Sequence, residues 1–459
     1  MKKRKQSRRA FLSNSLKASA LLAFPSIVPV SVFGKNAPSN RINVAAIGAG
    51  RISRIHDMPG VWQHDYAQLM AVCDLDSKRA EEGRKLVNDF YSKKNGAPYD
   101  GVKMYTDYRE LLQNKDIDAV LISTPDHTHA MIGAAAARAG KHIYMQKPAS
   151  LTIAEGRIIS NVVSKSGVKF QIGSQQRSSE QFRYAAELVR NGRIGDLTTV
   201  YVGLPGDPPG GNKEQMPVPS NLDYDLWLAS TPEVYYTIDR VHPQNGYDRP
   251  GWLRCEQFGA GMITGWGAHH IDSAHWGMGM ESSGPVEIWC DKAEFATGGL
   301  WDVHGIFKTG AKYANGVTMI VSNEFQNGIK FEGTKGWIFV SRGDYQVTST
   351  DPTKPGERAK RLDASDPSLL TSVIGENEFR FTVSKAHHGN WLEAIRDNKA
   401  TIAPVEEAHR ACSACLLHHI AMKLKRKLYW DPKTEKFSND AEANAMLSRP
   451  QRKQYEVKE

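Results

Sequence analysis

Three groups of residues in this chain have types and spacings that can do chemistry. The first is a glycine turn. Ile42–Ile47 reads as a short buried strand, and Gly48-Ala49-Gly50-Arg51-Ile52-Ser53 follows it as a G-x-G-x-x-S pattern opening a helix. Glycine at the first position permits a tight turn. Glycine at the second lets a pyrophosphate approach the backbone, with the unpaired N–H groups of a helix N-terminus facing it. Arg51 and Ile52 fall within reach of the same ligand. A second apolar run, Leu69–Cys73, ends in Asp74, 24 residues after Gly50. An acid there accepts hydrogen bonds from a ribose diol and repels a 2′-phosphate, which points to NAD over NADP.

The second group sits at the ends of other apolar runs. Ala119–Ser123 leads into Thr124-Pro125-Asp126-His127-Thr128-His129. His142–Met145 leads into Gln146-Lys147-Pro148, and Phe170–Gly173 is followed by Gln175-Gln176-Arg177. The third group is Met262–Asp272, which holds His269, His270 and Asp272. On a helix, Asp272 shares the face of His269 three residues before it.

The elements that must position these groups alternate. Strand-like runs are separated by the helix-like segments 78–90, 126–139 and 153–166. This predicts a doubly wound, mostly parallel sheet, with ligands beyond the carboxyl ends of its strands. From about Thr198 the pattern becomes two-residue alternation, with a hairpin over 328–341 turning at Gly333–Gly336. That predicts a mostly antiparallel, open sheet with one exposed face. A Gly/Pro-rich loop at 205–219 is expected to line the site or an interface, and a long amphipathic helix is expected at 405–425. The expected division is a leader at 1–34, a dinucleotide domain at 35–165, a substrate and oligomerisation domain at 166–400, and a C-terminal helix and tail at 401–459.

Together the glycine turn, Asp74, T-P-x-H-x-H, x-K-P and G-A-H-H-x-D resemble the Gfo/Idh/MocA oxidoreductases, over essentially everything after the leader. The resemblance implies a Rossmann domain, a C-terminal α/β domain with an open sheet, and a homo-oligomer associating through that sheet. It implies cofactor contacts from Thr124, Pro125, His127, His129, Gln146, Lys147 and Gln175. It places Lys147 beside the nicotinamide and the substrate hydroxyl, and His269 as the general base. Gln146 stands where the pattern has glutamate, and Gly265 where it has aspartate. An amide cannot carry the charge that raises a lysine pKa, so Lys147 is expected to release its proton more easily. Asp272 could orient the His269 imidazole. Arg177, His270, Asp272, Tyr247 and Trp252 are substrate candidates, with His242 behind them. The expected reaction is NAD-dependent oxidation of a secondary hydroxyl of a sugar or glycoside, with C3 of a glucoside favoured and the nucleotide held tightly. The alternatives are redox-neutral glycoside cleavage through transient oxidation, and a non-catalytic sugar- or NAD-binding protein.

Charge excludes one class of partner. The formal net charge is +9, but residues 1–34 hold seven Lys/Arg and no acid, leaving 52 basic against 50 acidic residues. No nucleic-acid surface is implied. Within the leader, Ser7-Arg8-Arg9-Ala10-Phe11-Leu12 resembles a twin-arginine export pattern, and Pro25 and Pro29 interrupt the apolar run after it. The expectation is periplasmic delivery of a folded, cofactor-loaded protein by the machinery that recognises twin arginine. The five cysteines show no disulfide framework. Cys412 and Cys415 with His419 read as a core helix face, so no metal site is expected.

Overall fold

Apolar runs too short for helices become the first six strands: β1 (Ile42–Ile47), β2 (Ala67–Cys73), β3 (Lys103–Tyr105), β4 (Ala119–Ile122), β5 (His142–Met145) and β6 (Phe170–Ile172). They form one sheet in the order β3-β2-β1-β4-β5-β6, with every neighbouring pair parallel. β1, β4 and β5 are almost wholly buried, as strands covered on both faces must be. The computed structural model describes residues 41–343 and 360–459, so the leader at 1–34 lies outside the described residues. Because β6 joins this sheet, the parallel layer continues past residue 165.

Local signals set the covering helices. Helix Ser77–Asn95 begins where the Asp76 carboxylate accepts the backbone N–H groups of Lys78 and Arg79, and ends at Gly96 with φ 66°. Helix Ile153–Ser166 is capped by Thr152 and ends at Gly167. It packs against the alanine-rich helix Asp126–Arg138, whose Gly133 admits the Ile159 side chain: a Cβ there would lie 2.4 Å from Ile159 Cδ1. After the glycine turn the chain passes through a π-helical stretch, Ser53–Asp57, into helix Met58–Trp62.

The second sheet has nine strands: β7 (Leu197–Gly203), β8 (Pro285–Phe295), β9 (His304–Tyr313), β10 (Thr318–Ser322), β11 (Gly328–Gly333), β12 (Gly336–Val340), β13 (Leu362–Ala364), β14 (Leu428–Asp431) and β15 (Lys436–Phe437). Their order is β13-β12-β11-β7-β10-β9-β8-β14-β15. β7 and β10 pair in parallel; the other pairs are antiparallel. The hairpin expected at 328–341 is β11–β12. β14 and β15 extend this sheet, so part of the C-terminal segment is built into it rather than added outside.

Helix Val405–Leu424 lies between this sheet and helix Ile153–Ser166. It is buried on nearly every side, so the expected amphipathic face is replaced by a helix enclosed all round. The Gly/Pro-rich loop does not line the central cavity; Gly210 and Gly211 close on the Trp301 ring instead.

The core of the second sheet encloses imidazoles. His275 Nε2 lies 2.8 Å from the Tyr313 hydroxyl, and His418 Nδ1 lies 2.9 Å from Thr309 Oγ1. Burial pushes His275 down to about 4, and His418 and His304 down to about 3. An unfolded imidazole titrates near about 6.5, so the unfolded chain takes up these protons first as pH falls. The contribution is fully present above that value and is lost on acidification toward the native values. The urea midpoint should therefore fall between about pH 7 and about pH 5, with net proton uptake on unfolding. A midpoint unchanged across that interval would contradict the assignment.

Candidate active site

The carboxyl ends of β1, β2, β4 and β5 open into a cavity of about 1060 Å³. Gly48 makes the turn possible. Its φ is +90°, and an added Cβ would lie 2.6 Å from the Ser123 carbonyl oxygen. Gly50 is needed for a different reason. A Cβ there would meet only the Arg79 guanidinium, at 3.8 Å, so the space above it belongs to the cavity. Asp74 Oδ2 accepts the Ala49 N–H at 2.7 Å and Oδ1 accepts the Asp76 N–H at 2.9 Å. Burial pushes this carboxyl upward, and the two backbone N–H groups oppose it. The carboxylate thus joins the end of β2 to the glycine turn and keeps acceptor capacity toward the cavity. With Arg51 and Ile52 on the same wall, this surface fits a dinucleotide: an open backbone cradle for a pyrophosphate and an acid for a ribose.

The same cavity holds titratable side chains from other segments. Lys147 Nζ donates to the Gly265 carbonyl at 2.8 Å. Where the resemblance led us to expect an aspartate, a backbone oxygen holds the ammonium. Asp126, nearly buried in the first turn of helix Asp126–Arg138, lines the same cavity. Burial pushes its carboxyl up to about 7 against the pull of the Lys147 ammonium. His269 also lines the cavity, and its Nδ1 has no hydrogen-bond partner among the described residues. Burial, followed by the Arg342 and Lys147 cations, holds this imidazole well below its ordinary value. It stands as a neutral base beside a lysine.

Residues 42–174 match the family model described as "Oxidoreductase family, NAD-binding Rossmann fold", and residues 210–351 and 376–457 match that for "Oxidoreductase family, C-terminal alpha/beta domain". The chain belongs to the Gfo/Idh/MocA oxidoreductase family. Its parallel sheet is that family's NAD-binding fold. Among curated relatives, the myo-inositol 2-dehydrogenase of Thermotoga maritima is 31% identical over 184 residues, 40% of this chain and 48% of that protein. The chain thus spans about half the length of the curated relatives it matches. Two solved structures share the fold. The Bordetella pertussis WlbA dehydrogenase, in complex with NADH and UDP-GlcNAcA, has a TM-score of 0.57 at 16% identity, covering 85% of this chain and 99% of that one. The Caulobacter crescentus aldose-aldose oxidoreductase has a TM-score of 0.55 at 19% identity, with the same coverage.

Within this family member, the cavity gathers Gly48, Gly50, Arg51, Ile52, Asp74, Thr124, Pro125, Gln146, Lys147, Gln175, Trp252 and His269. Other candidates are turned away from it. His127 Nε2 is 2.8 Å from the Trp227 carbonyl, and its ring packs on Trp227 and Phe258. His129 lies between the carbonyls of Pro148, at 2.6 Å, and Thr124, at 2.9 Å. It tethers the two motif loops and does not face the cavity. Arg177 does not line the cavity. It is buried, with Nη2 2.5 Å from Asp272 Oδ1, Nη1 on Glu407 and the Ile402 carbonyl, and its guanidinium over Trp276. Asp272 therefore serves Arg177 and Ser174 and does not orient His269. His270 Nε2 is 2.8 Å from Asn327 Oδ1, and the ring is enclosed. Tyr247 lies outside the cavity, its ring between the guanidinium groups of Arg54 and Arg79 and its hydroxyl donating to Glu82. His242 does line the cavity, but its Nε2 is 3.0 Å from Asp76 Oδ2.

Several site residues escaped the sequence reading. Asp126 lies inside the T-P-x-H-x-H motif, and its position after a strand end was a usable signal. Trp227, Arg249 and Arg342 line the cavity from segments without a motif. Behind the expected Gln146 sits the fully buried Asp57, which no sequence pattern marks.

Two outcomes follow from this geometry. Gly50→Val should leave the unfolding midpoint near that of the wild type while weakening NAD binding by at least about tenfold, because the added methyl groups enter the cradle. Titration calorimetry reads the affinity, and equal affinity in both proteins would refute the cradle. Arg177→Met should cost about 3–5 kcal/mol in urea unfolding by stranding the Asp272 carboxylate. A loss confined to substrate KM would instead return Arg177 to the substrate list.

Proposed function

We propose that the protein oxidises a secondary hydroxyl of a sugar or glycoside, with C3 of a glucoside favoured, using NAD held through successive turnovers. One observation carries this reading: Lys147 and His269 line the same cavity as the glycine turn and Asp74. NAD, when bound, supplies the hydride acceptor. The Lys147 ammonium donates to the substrate oxygen and stabilises the alkoxide as its proton leaves. His269, neutral and lining the cavity, accepts that proton. The carbonyl of Gly265 keeps the ammonium in place without neutralising it. Trp252 and Trp227 present rings to the same space, suited to the apolar faces of a sugar. Similarity to the inositol and aldose enzymes supports a polyol or sugar as substrate. The twin-arginine pattern supports work in the periplasm with nucleotide loaded before export.

The test begins with protein purified after export. Mass analysis of the denatured protein should find NAD, and reduced nicotinamide absorbance should rise on incubation with glycosides. Lys147→Met and His269→Gln should each lower turnover by about 10²–10⁴-fold while nucleotide stays bound. Full turnover in Lys147→Met would end the proposal. Since His269 is neutral well below the ordinary value, kcat/KM should show no acid-side loss centred near about 6.5.

A further inference from the structure

Beneath the lysine lies a buried carboxylate that the reaction scheme does not use. Asp57 is fully enclosed at the end of the π-helical stretch after the glycine turn. Its Oδ1 accepts from Gln146 Nε2 at 2.8 Å and faces His388 Nε2 at 3.0 Å, while its Oδ2 accepts from Ser123 Oγ at 2.6 Å. Three chain segments meet there: the end of β4, the end of β5, and helix His387–Arg396. The His388 ring stacks on Tyr144 at 4.2 Å, and it fills the space over Gly60, where a Cβ would lie 2.3 Å from Nδ1. Other titratable groups face this pair: Tyr144, raised by burial and then by Asp57; His64, lowered by burial and facing His388; and His56, which lines the cavity and is lowered by burial, with Asp57 opposing.

We infer that Asp57 is a positioning residue for Lys147: it takes the donated amide of Gln146 and so fixes the strand end that carries the lysine, and position 146 must be a neutral donor because the one negative charge of this layer sits at position 57. A carboxylate at 146 would meet the Asp57 carboxylate at hydrogen-bonding distance. Two such groups cannot both ionise at neutral pH, and they would share a proton. This rests on the assignment of Lys147 to the reacting hydroxyl, but its core is a coupling between two side chains that can be measured without any substrate.

The experiment is a double-mutant cycle in the full chain: wild type, Gln146→Glu, Asp57→Asn, and the pair together. Urea unfolding, NAD binding and glycoside turnover are read on each. Either single change should lower kcat by at least about tenfold, with KM changed less, and should lower the urea midpoint. The pair moves the charge one residue across the contact and keeps a donor facing an acceptor, so it should recover most of both losses. Gln146→Glu alone should regain activity relative to wild type as pH is lowered from about 8 to about 6, because protonation restores a donor. A fully active Gln146→Glu, or a pair no better than the worse single variant in the urea cycle, overturns the inference. If the wild type oxidises no glycoside, the oxidation reading fails, while the urea cycle still decides the coupling.

Discussion

A buried charge must be satisfied where it stands, and at Asp57 this chain meets that demand beside the cavity. A carboxylate removed from water is tolerated when hydrogen-bond donors surround it. Here the donors come from Ser123, Gln146 and His388, far apart in sequence and close only in the folded chain. Ser123 and Gln146 stand at strand ends that line the cavity, and His388 opens helix His387–Arg396 behind them. Satisfying one carboxylate thus brings the glycine-turn helix, two strand ends and a C-terminal helix into register around one site.

A second charged group performs the same task one layer further out. Arg177 is bound by Asp272, Glu407 and the Ile402 carbonyl, which joins the chain after β6 to helix Gly267–Met278 and to the start of helix Val405–Leu424. Since Asp272 is occupied in this way, His269 on the same helix keeps its imidazole for the cavity. On this helix the acid is bound by Arg177 while His269 lines the cavity.

The electrostatics of the cavity then divide by function. At the glycine turn, backbone N–H groups and Asp74 provide fixed partners. Around Lys147, burial and then the Arg342 and Lys147 cations hold His269 neutral, and burial pushes Asp126 toward neutrality. Perturbed groups of opposite kind close together are what acid–base chemistry at neutral pH requires. On the proposed reading, chemical reactivity and nucleotide recognition fall to different residues of one cavity.

The family, the parallel strand layer, the glycine turn, Asp74 and Lys147 were legible in the sequence because each depends on short-range pattern. Apolar runs of strand length, a turn that only glycine permits and strand-end motifs lie within a few residues of each other. What could not be read was direction. His127, His129, His270 and Arg177 have residue types that suit a site, yet each is used to satisfy buried carbonyls, amides or carboxylates supplied from distant segments. Asp57 had the reverse fate, carrying no motif and yet holding the site together. The sequence by itself determined which chemistry the chain can hold and on which strand ends. The tertiary structure decided which polar side chains face the cavity and which are consumed by the core, because a buried polar group must find its partner wherever the fold places one.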